Sequence, residues 1–562
     1  MSEIKNQAWQ ISTRRRLLWL LFSFAGGTLY AAALPPLNWS FAVFFCLFPV
    51  LYCGSVFKWK FAWLSGWCWG LGWAFFSYRF LREIEWFVPW LLAPVLALWP
   101  ALWGALLPKL RAWMIFPAES VQWNCREKEE YLTARLPWYR VLAFAISSAL
   151  LFTLIEWTRS RLFVWNDFSV TQWRNTAFIQ ISALTGSYGI GFLIAWFNTA
   201  FFSAVIFRKQ GTLQTIPVIL TFIAVLIFGF CRLDRLEKNT EPTRILRAGL
   251  VQCDLSQRRR ATEPQILEAI EVCTTLSRQL AAQKPDIIIW PESAVPIPLN
   301  SGGYAGTVFR QKFSALLNDT RIPLLAGLLA FRQDKSTNDW QITNSALLFD
   351  VKKRSAERYD KIHRVPYGEY VPFRKYLPKA LINAIDMGRD LAPGNNYEPF
   401  TLDSGIRFST AICYEGVFGY LIRQFALRRT DLLIVLSNDA WYPESSEPEQ
   451  HLANAVIRSV ESGLYMIRCG NNGGSGVVTP AGKFTRYIGS SAPRPELLRE
   501  RACGVVEVPV PRSTEYRTIF VRYGEWFILL LAAGLFSIIV YGVIWERNRR
   551  HFALEILKKE KL

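Results

Sequence analysis

The chain has 562 residues, of which 51% are hydrophobic and 15% aromatic, with 24 Trp and a formal net charge of +20. This composition marks a membrane protein long enough for several domains. The basic excess lies mostly at the ends of apolar runs, which argues against a nucleic-acid partner and for membrane topology, and only three His argue against a His-built metal site.

Near the N-terminus, Arg14-Arg15-Arg16 precede an apolar stretch that ends near Ala31-Ala32-Ala33. The layout mimics a signal peptide, but further spans follow at once, so an uncleaved first helix is expected. Eight stretches have the length a bilayer core requires: Leu17–Leu34, Trp39–Phe57, Phe61–Tyr78, Trp90–Leu107, Val141–Trp157, Tyr188–Phe207, Thr215–Cys231 and Trp526–Trp545. The fourth carries Pro94 and Pro100, which neighbouring helices can accommodate. With the N-terminus cytoplasmic, 20 Lys and Arg fall on the inside and 5 on the short outside loops. That bias sets the topology. The expected organisation is a seven-helix bundle over 1–231, an outside domain over 232–525, and an eighth helix with a basic cytoplasmic tail over 526–562.

Residues 108–140 read as a polar insertion. Residues 158–187 carry Trp165, Phe168 and Trp173; these aromatics either rest at headgroup level or form an ordinary interfacial loop. The outside domain reads as mixed α/β, with strands at Ile245–Gln252, Asp286–Trp290, Pro323–Gly327, Ser345–Phe349, Arg407–Cys413 and Leu432–Leu436. A helix starts near Thr262-Glu263-Pro264, with Thr262 as N-cap, and another runs from Pro448 to Ser462 and stops at Gly463. Ten Cys form no regular framework. Cys46, Cys53, Cys68 and Cys231 belong to apolar runs as packing residues. Cys253, Cys273, Cys469 and Cys503 share the polar segment, and sequence leaves any disulfide among them unpaired.

Three residues of that segment carry chemistry. Glu292 follows the strand Asp286–Trp290, which Pro291 is expected to end; beside Trp290 its carboxylate is partly desolvated, as a general base needs. Cys413 ends its own apolar strand, where a nearby cation can lower its pKa. Lys361 supplies the amine. Taken singly, each has a plain reading: a turn carboxylate, a packing thiol, a solvated ammonium. His363, two residues from Lys361, and His451, at a helix start, are candidates for a Cys–His pair, with His451 read as structural.

With their flanks the three gain specificity. Trp-Pro-Glu292, Asp-Lys361-Ile-His-Arg-Val-Pro-Tyr-Gly-Glu369-Tyr-Val-Pro and Ile-Cys413-Tyr-Glu415 together resemble the nitrilase (carbon–nitrogen hydrolase) superfamily. The multi-span frame, Ser437-Asn-Asp-Ala-Trp441-Tyr, Gln450-His-Leu, Arg468-Cys-Gly-Asn-Asn472-Gly, Glu156-Trp157-Thr-Arg159 and Gly186-Ser-Tyr188-Gly resemble its apolipoprotein N-acyltransferase family. The resemblance implies a four-layer αββα sandwich on an eight-helix bundle in the bacterial inner membrane, facing the periplasm, with both termini cytoplasmic. It implies acyl transfer from a phospholipid to the N-terminal diacylglyceryl-cysteine of an apolipoprotein, with no cofactor. Glu292 is then the base, Lys361 the oxyanion stabiliser and Cys413 the nucleophile, while Glu369, Tyr414, Glu415 and Trp441 support the site or position substrate.

The chain departs from that family where Val251-Gln252-Cys253-Asp254 replaces the usual Val-Gln-Gly-Asn and Arg258-Arg259-Arg260 stand in place of a Trp. A membrane-tethered amidase acting on a small amide is the rival enzyme reading, and a transporter or scaffold the rival outside catalysis.

Overall fold

A computed structural model describes residues 13–121, 125–238, 244–257, 261–334, 338–353, 355–378, 382, 390–442, 444–489, 499–510 and 518–559. Arg258-Arg259-Arg260 lie outside the described residues. The chain divides into two compact units, Met1–Phe230 with Glu525–Leu562, and Cys231–Gly524.

Among the described residues of the helical unit and its junction, six helical segments are long and apolar enough to cross a membrane: Thr13–Ala33, Val88–Ile115, Trp138–Ser160, Ser187–Leu213, Thr215–Lys238 and Trp526–Glu555. A seventh helix, Trp59–Ser77, covers the third expected span. The second expected span, Trp39–Phe57, is not one helix. It is a 3-10 turn, Ser40–Phe44, followed by the helix Phe48–Val56. Asn198 makes the break tolerable: its Oδ1 accepts from the Leu47 N–H at 3.1 Å and its Nδ2 donates to the Val43 carbonyl at 2.9 Å. Freed backbone groups in an apolar bundle need such a partner. The fourth span continues through Pro94, Pro100 and Pro108 to Ile115, so the expected insertion begins near 116 and not at 108. The aromatics of 158–187 are buried within this unit. Tyr78 Oη donates to the Trp165 carbonyl at 3.0 Å, Tyr30 Oη to the Asn166 carbonyl at 2.7 Å, and Trp173 Nε1 to Asn38 Oδ1 at 2.8 Å. They close the helix ends and do not lie at a surface.

The second unit holds two six-stranded sheets. The first contains β1 (Arg244–Gln252), β2 (Ile287–Val295), β3 (Leu324–Gln333), β4 (Trp340–Asp350) and β5 (Ser355–Asp360). The second contains β6 (Phe400–Thr401), β7 (Arg407–Ile412), β8 (Leu432–Ser437), β9 (Met466–Gly470), β10 (Gly476–Val478) and β11 (Phe484–Thr485). The late strand β12 (Ala502–Val510) returns to pair antiparallel with β1. The orders are β12-β1-β2-β3-β4-β5 and β11-β10-β9-β8-β7-β6. β1 and β2 pack on β9, and β4 packs on β7, so the sheets stack face to face. The helix Glu263–Ala281 packs on β1 and β2 and against Gly303–Thr320; Gly419–Leu427 and Glu447–Ser462 serve the second sheet. This is the expected αββα arrangement.

Local chemistry explains the elements. Ile287–Trp290 is buried on both faces, as an apolar β-branched run between parallel neighbours should be. Gln265 Oε1 accepts from the Thr262 N–H at 2.9 Å at the start of the helix Glu263–Ala281. Gly463, at φ 71°, ends the helix Glu447–Ser462 in the left-handed conformation that glycine adopts freely. Pro291, however, does not end β2. The strand continues to Val295 with a register break between Trp290 and Val295. Proline has no N–H for the ladder, so the chain bulges there and resumes. Glu292 therefore sits on a bulge inside the strand.

Candidate active site

β2, β3 and β5 run in one direction and β4 in the other. Glu292 on the β2 bulge and Lys361 just past β5 thus reach the same sheet edge. Glu292 is 6% exposed and Lys361 1%. Lys361 Nζ donates to Glu292 Oε1 at 3.1 Å and to Glu369 Oε1 at 3.0 Å. Asn344, on β4 between them, donates from Nδ2 to the same two oxygens at 2.7 and 2.8 Å. Glu369 is fixed further by the Val365 N–H, which donates to Oε2 at 2.8 Å. Two carboxylates thus share one ammonium and one amide. Burial opposes the charge on Lys361, but Glu292 and then Glu369 outweigh it and hold the amine well above its usual pKa.

Cys413 begins the 3-10 turn Cys413–Val417 directly after β7. Its φ is 52°, and Ser293, next to Glu292, has φ 49°. Non-glycine residues in this region cost about 1–3 kcal/mol each and persist where the surroundings over-determine them. Burial, reinforced by Glu292, pushes the Cys413 thiol well above its usual range; Lys361 pulls the other way and loses. This direction is opposite to the cation-lowered thiol expected from the sequence, and it suits a reaction assisted by a base.

Glu415 ties the Cys413 turn to the Lys361 bend. Its Oε1 accepts from the Ile362 and His363 N–H groups at 2.6 and 3.0 Å, and its Oε2 from the Ile412 N–H at 2.8 Å. Beneath the turn, His451 Nε2 donates to the Cys413 carbonyl at 3.0 Å while Nδ1 faces Asp439 Oδ1 at 3.1 Å. Asp439 also pairs with the fully buried Arg468. Burial raises the Asp439 carboxyl, but Arg468 and His451 outweigh it and hold it below the ordinary range. Cys413, Asp439 and His451 place ligand atoms within 4.8 Å of one another, yet both His451 nitrogens are engaged inside the protein. His451 is a scaffold for the turn. His363 stacks on Phe418 at 4.6 Å and bonds to Tyr420; burial lowers its pKa.

The structure thus brings Glu292, Lys361 and Glu369 into direct contact and sets Cys413 in their field. Tyr414 lies edge-on to Phe418 at 4.9 Å, and Trp441 ends the turn Asp439–Trp441 after β8. Asn344 was not singled out from sequence; its only signal is a polar residue at the edge of an apolar run. Asn438 and Asn471 act behind the site: Asn471 Nδ2 donates to Asn438 Oδ1 at 3.1 Å, and Asn438 Nδ2 to the Glu292 carbonyl at 3.3 Å.

A carbon–nitrogen hydrolase family model matches residues 247–492, and one for the apolipoprotein N-acyltransferase N-terminal domain matches residues 26–200. The apolipoprotein N-acyltransferase of Geobacter metallireducens is 29% identical over 423 residues, covering 73% of this chain and 76% of its own. That of Gloeobacter violaceus is 26% identical over 566 residues, covering 98% and 99%. Among solved structures, an amidase from Nesterenkonia sp. is 19% identical, with a TM-score of 0.33, over 50% of this chain and 95% of its own. The helical and αββα segments each match their own family model, and a relative aligns from end to end: along its whole length the chain is similar to apolipoprotein N-acyltransferases.

Proposed function

We propose that the chain N-acylates the N-terminal diacylglyceryl-cysteine of apolipoproteins, with a phospholipid as donor and a thioester on Cys413 as intermediate. The observation that carries this reading is the Lys361 ammonium, held at 3.1 and 3.0 Å by Glu292 and Glu369, with the half-buried Cys413 thiol in the field of the same groups. In the first step Glu292 takes the thiol proton and Sγ attacks the ester carbonyl. Lys361 stabilises the oxyanion. The C–O bond breaks, and Glu292 returns the proton to the departing lysophospholipid oxygen. In the second step the acceptor amine attacks the thioester, Glu292 takes its proton, and Cys413 leaves as the thiol. Exclusion of water protects the thioester between steps. Glu369, Tyr414, Glu415 and Trp441 position these groups and the substrates.

The Lys and Arg tally supports both termini on the cytoplasmic side and residues 232–525 outside, and the similarity to apolipoprotein N-acyltransferases supports a bacterial inner membrane with that domain in the periplasm. Both substrates carry acyl chains, which suits a chain with long apolar helices. The domain organisation 1–231, 232–525 and 526–562 follows the same reading.

Intact-mass analysis of the purified protein tests the mechanism. The expected result is a hydroxylamine-labile fatty-acyl adduct on Cys413 that is absent from Cys413→Ala. No adduct, together with lysophospholipid release that survives Cys413→Ala, overturns it. The rival reading, hydrolysis of a small amide by the same three residues, requires amide turnover without phospholipid; the six long apolar helices favour a lipid substrate.

A further inference from the structure

Where the family has Gly-Asn after β1, this chain has Cys253-Asp254. Cys253 and Cys273 are each 0% exposed, and their sulfurs lie 3.3 Å apart. Cys253 ends the stretch after β1, and Cys273 lies on the buried face of the helix Glu263–Ala281. Both thiols belong to one apolar cluster with Trp290, Ala294 and Val295. The third buried thiol nearby, Cys469, is directed elsewhere: its sulfur donates to the Val251 and Ile289 carbonyls at 3.4 Å each. We infer that Cys253 and Cys273 are a modification site, joined in the mature protein as a structural disulfide between the end of β1 and the helix Glu263–Ala281.

A disulfide bond is about 2.05 Å long, so the two sulfurs, 3.3 Å apart, have little more than an ångström to close. The chemistry is thiol–disulfide exchange with a disulfide oxidant. One thiolate attacks the oxidant to give a mixed disulfide. The second thiolate then displaces the oxidant's remaining sulfur. Two S–H bonds are lost, one S–S bond forms, and the oxidant's disulfide takes two electrons and two protons to become two thiols. Burial shields both sulfurs from an oxidant once the chain is folded, so the bond forms during folding, on the oxidising side where the proposed topology places this domain.

The position gives the bond a consequence. Cys273 Sγ also approaches the Ala294 carbonyl at 3.7 Å, two residues past Glu292. The N–H groups of Asp254 and Leu255 donate to the Asn471 carbonyl and side chain at 2.7 and 3.1 Å. Asn471 in turn holds Asn438, which holds the Glu292 carbonyl. A link at 253–273 therefore braces the β2 bulge from behind.

The test takes membranes quenched with N-ethylmaleimide before the full chain is unfolded and mapped as peptides. The expected result is one cross-linked peptide pair, Cys253 with Cys273, two hydrogens lighter than the thiol forms. Cys253→Ser frees Cys273 to take the reagent. Reductant lowers the Tm of the parent by about 5 °C and leaves the Cys253→Ser/Cys273→Ser chain unmoved. Labelling of both cysteines in the parent, a link from either to Cys469 or Cys503, or an equal response to reductant in parent and double variant overturns the proposal. None of these readouts uses acyl transfer, so the functional reading stands or falls separately on the Cys413 adduct.

Discussion

Tyr359 Oη donates to both carboxylate oxygens of Glu415, at 2.9 Å each, and so joins the last turn of β5 to the turn that follows β7. The two strands belong to different sheets. Lys361 comes two residues after Tyr359 and Cys413 two before Glu415, so this buried contact sets the spacing of the amine and the thiol. A carboxylate suits the task because it is acceptor-only: it collects three backbone N–H groups and a phenol at once.

Burial pushes the Glu415 carboxyl up to about 7, against about 4.3 for a free Glu. The native state thus binds this proton more tightly than the unfolded chain. The stabilising contribution is complete below about pH 4.3 and is lost as pH rises through about 7. Thermal unfolding followed from about pH 5 to about pH 8 should show Tm falling in the parent. In Glu415→Gln that slope should vanish. The amide also turns a donor toward backbone donors, so stability should be lower at every pH, by about 1–3 kcal/mol.

Lys361→Ala leaves the buried Glu292 and the half-buried Glu369 around Asn344 with no cation. The expected cost is about 3–5 kcal/mol of stability, and loss of the oxyanion partner should lower kcat by roughly 10²–10³-fold. Adding Glu369→Gln removes one of the stranded charges. The double variant should therefore regain part of the stability and none of the turnover. Denaturant unfolding and single-turnover thioester formation separate the two effects; thioester formation at the parent rate in Lys361→Ala would remove the amine from the mechanism.

Asn344→Leu keeps the volume at β4 and deletes the amide that donates to both carboxylates. One charge-assisted hydrogen bond is worth about 1.5–3 kcal/mol, so kcat/KM should drop roughly tenfold or more. The fall in kcat/KM, measured beside Tm, should exceed what the change in folded fraction explains; a rate that follows the folded fraction alone would mean that Asn344 only stiffens β4.

Much of this architecture is legible from local pattern. Glu292 and Cys413 could be placed because each follows a short, β-branched, fully buried run, and Gly463 because only its conformation ends that helix. What escaped depends on distant partners. β5 reads Ser-Ala-Glu-Arg-Tyr-Asp and carries no apolar alternation, since it is an edge strand in which only the last two residues are buried; the strand that delivers Lys361 is therefore invisible in the sequence. β12 finds β1 across some two hundred and fifty residues of sequence, and no local signal announces such a return. The second span looked continuous because the residue that satisfies its break, Asn198, lies on another helix. Pro291 looked like a stop because the bulge that absorbs it depends on β3.

That dependence can be tested at one atom. Gly327 on β3 lies against the β2 bulge, where a Cβ would meet the Pro291 carbonyl oxygen at 2.3 Å and the Glu292 Cα at 2.7 Å. Both are backbone atoms, so no side chain can rotate away; the bulge itself must shift. Gly327→Ala should move Glu292 away from Lys361 and Asn344, whose bonds to it are 3.1 and 2.7 Å. Misplacement of a reacting group by about 1 Å costs on the order of 10²-fold in rate. The variant should still fold, losing about 1–3 kcal/mol to overpacking, while thioester formation slows far more than the stability change explains. The rate of acyl adduct formation, measured beside Tm, checks this: a rate that falls only in proportion to the folded fraction would mean that the bulge does not position Glu292.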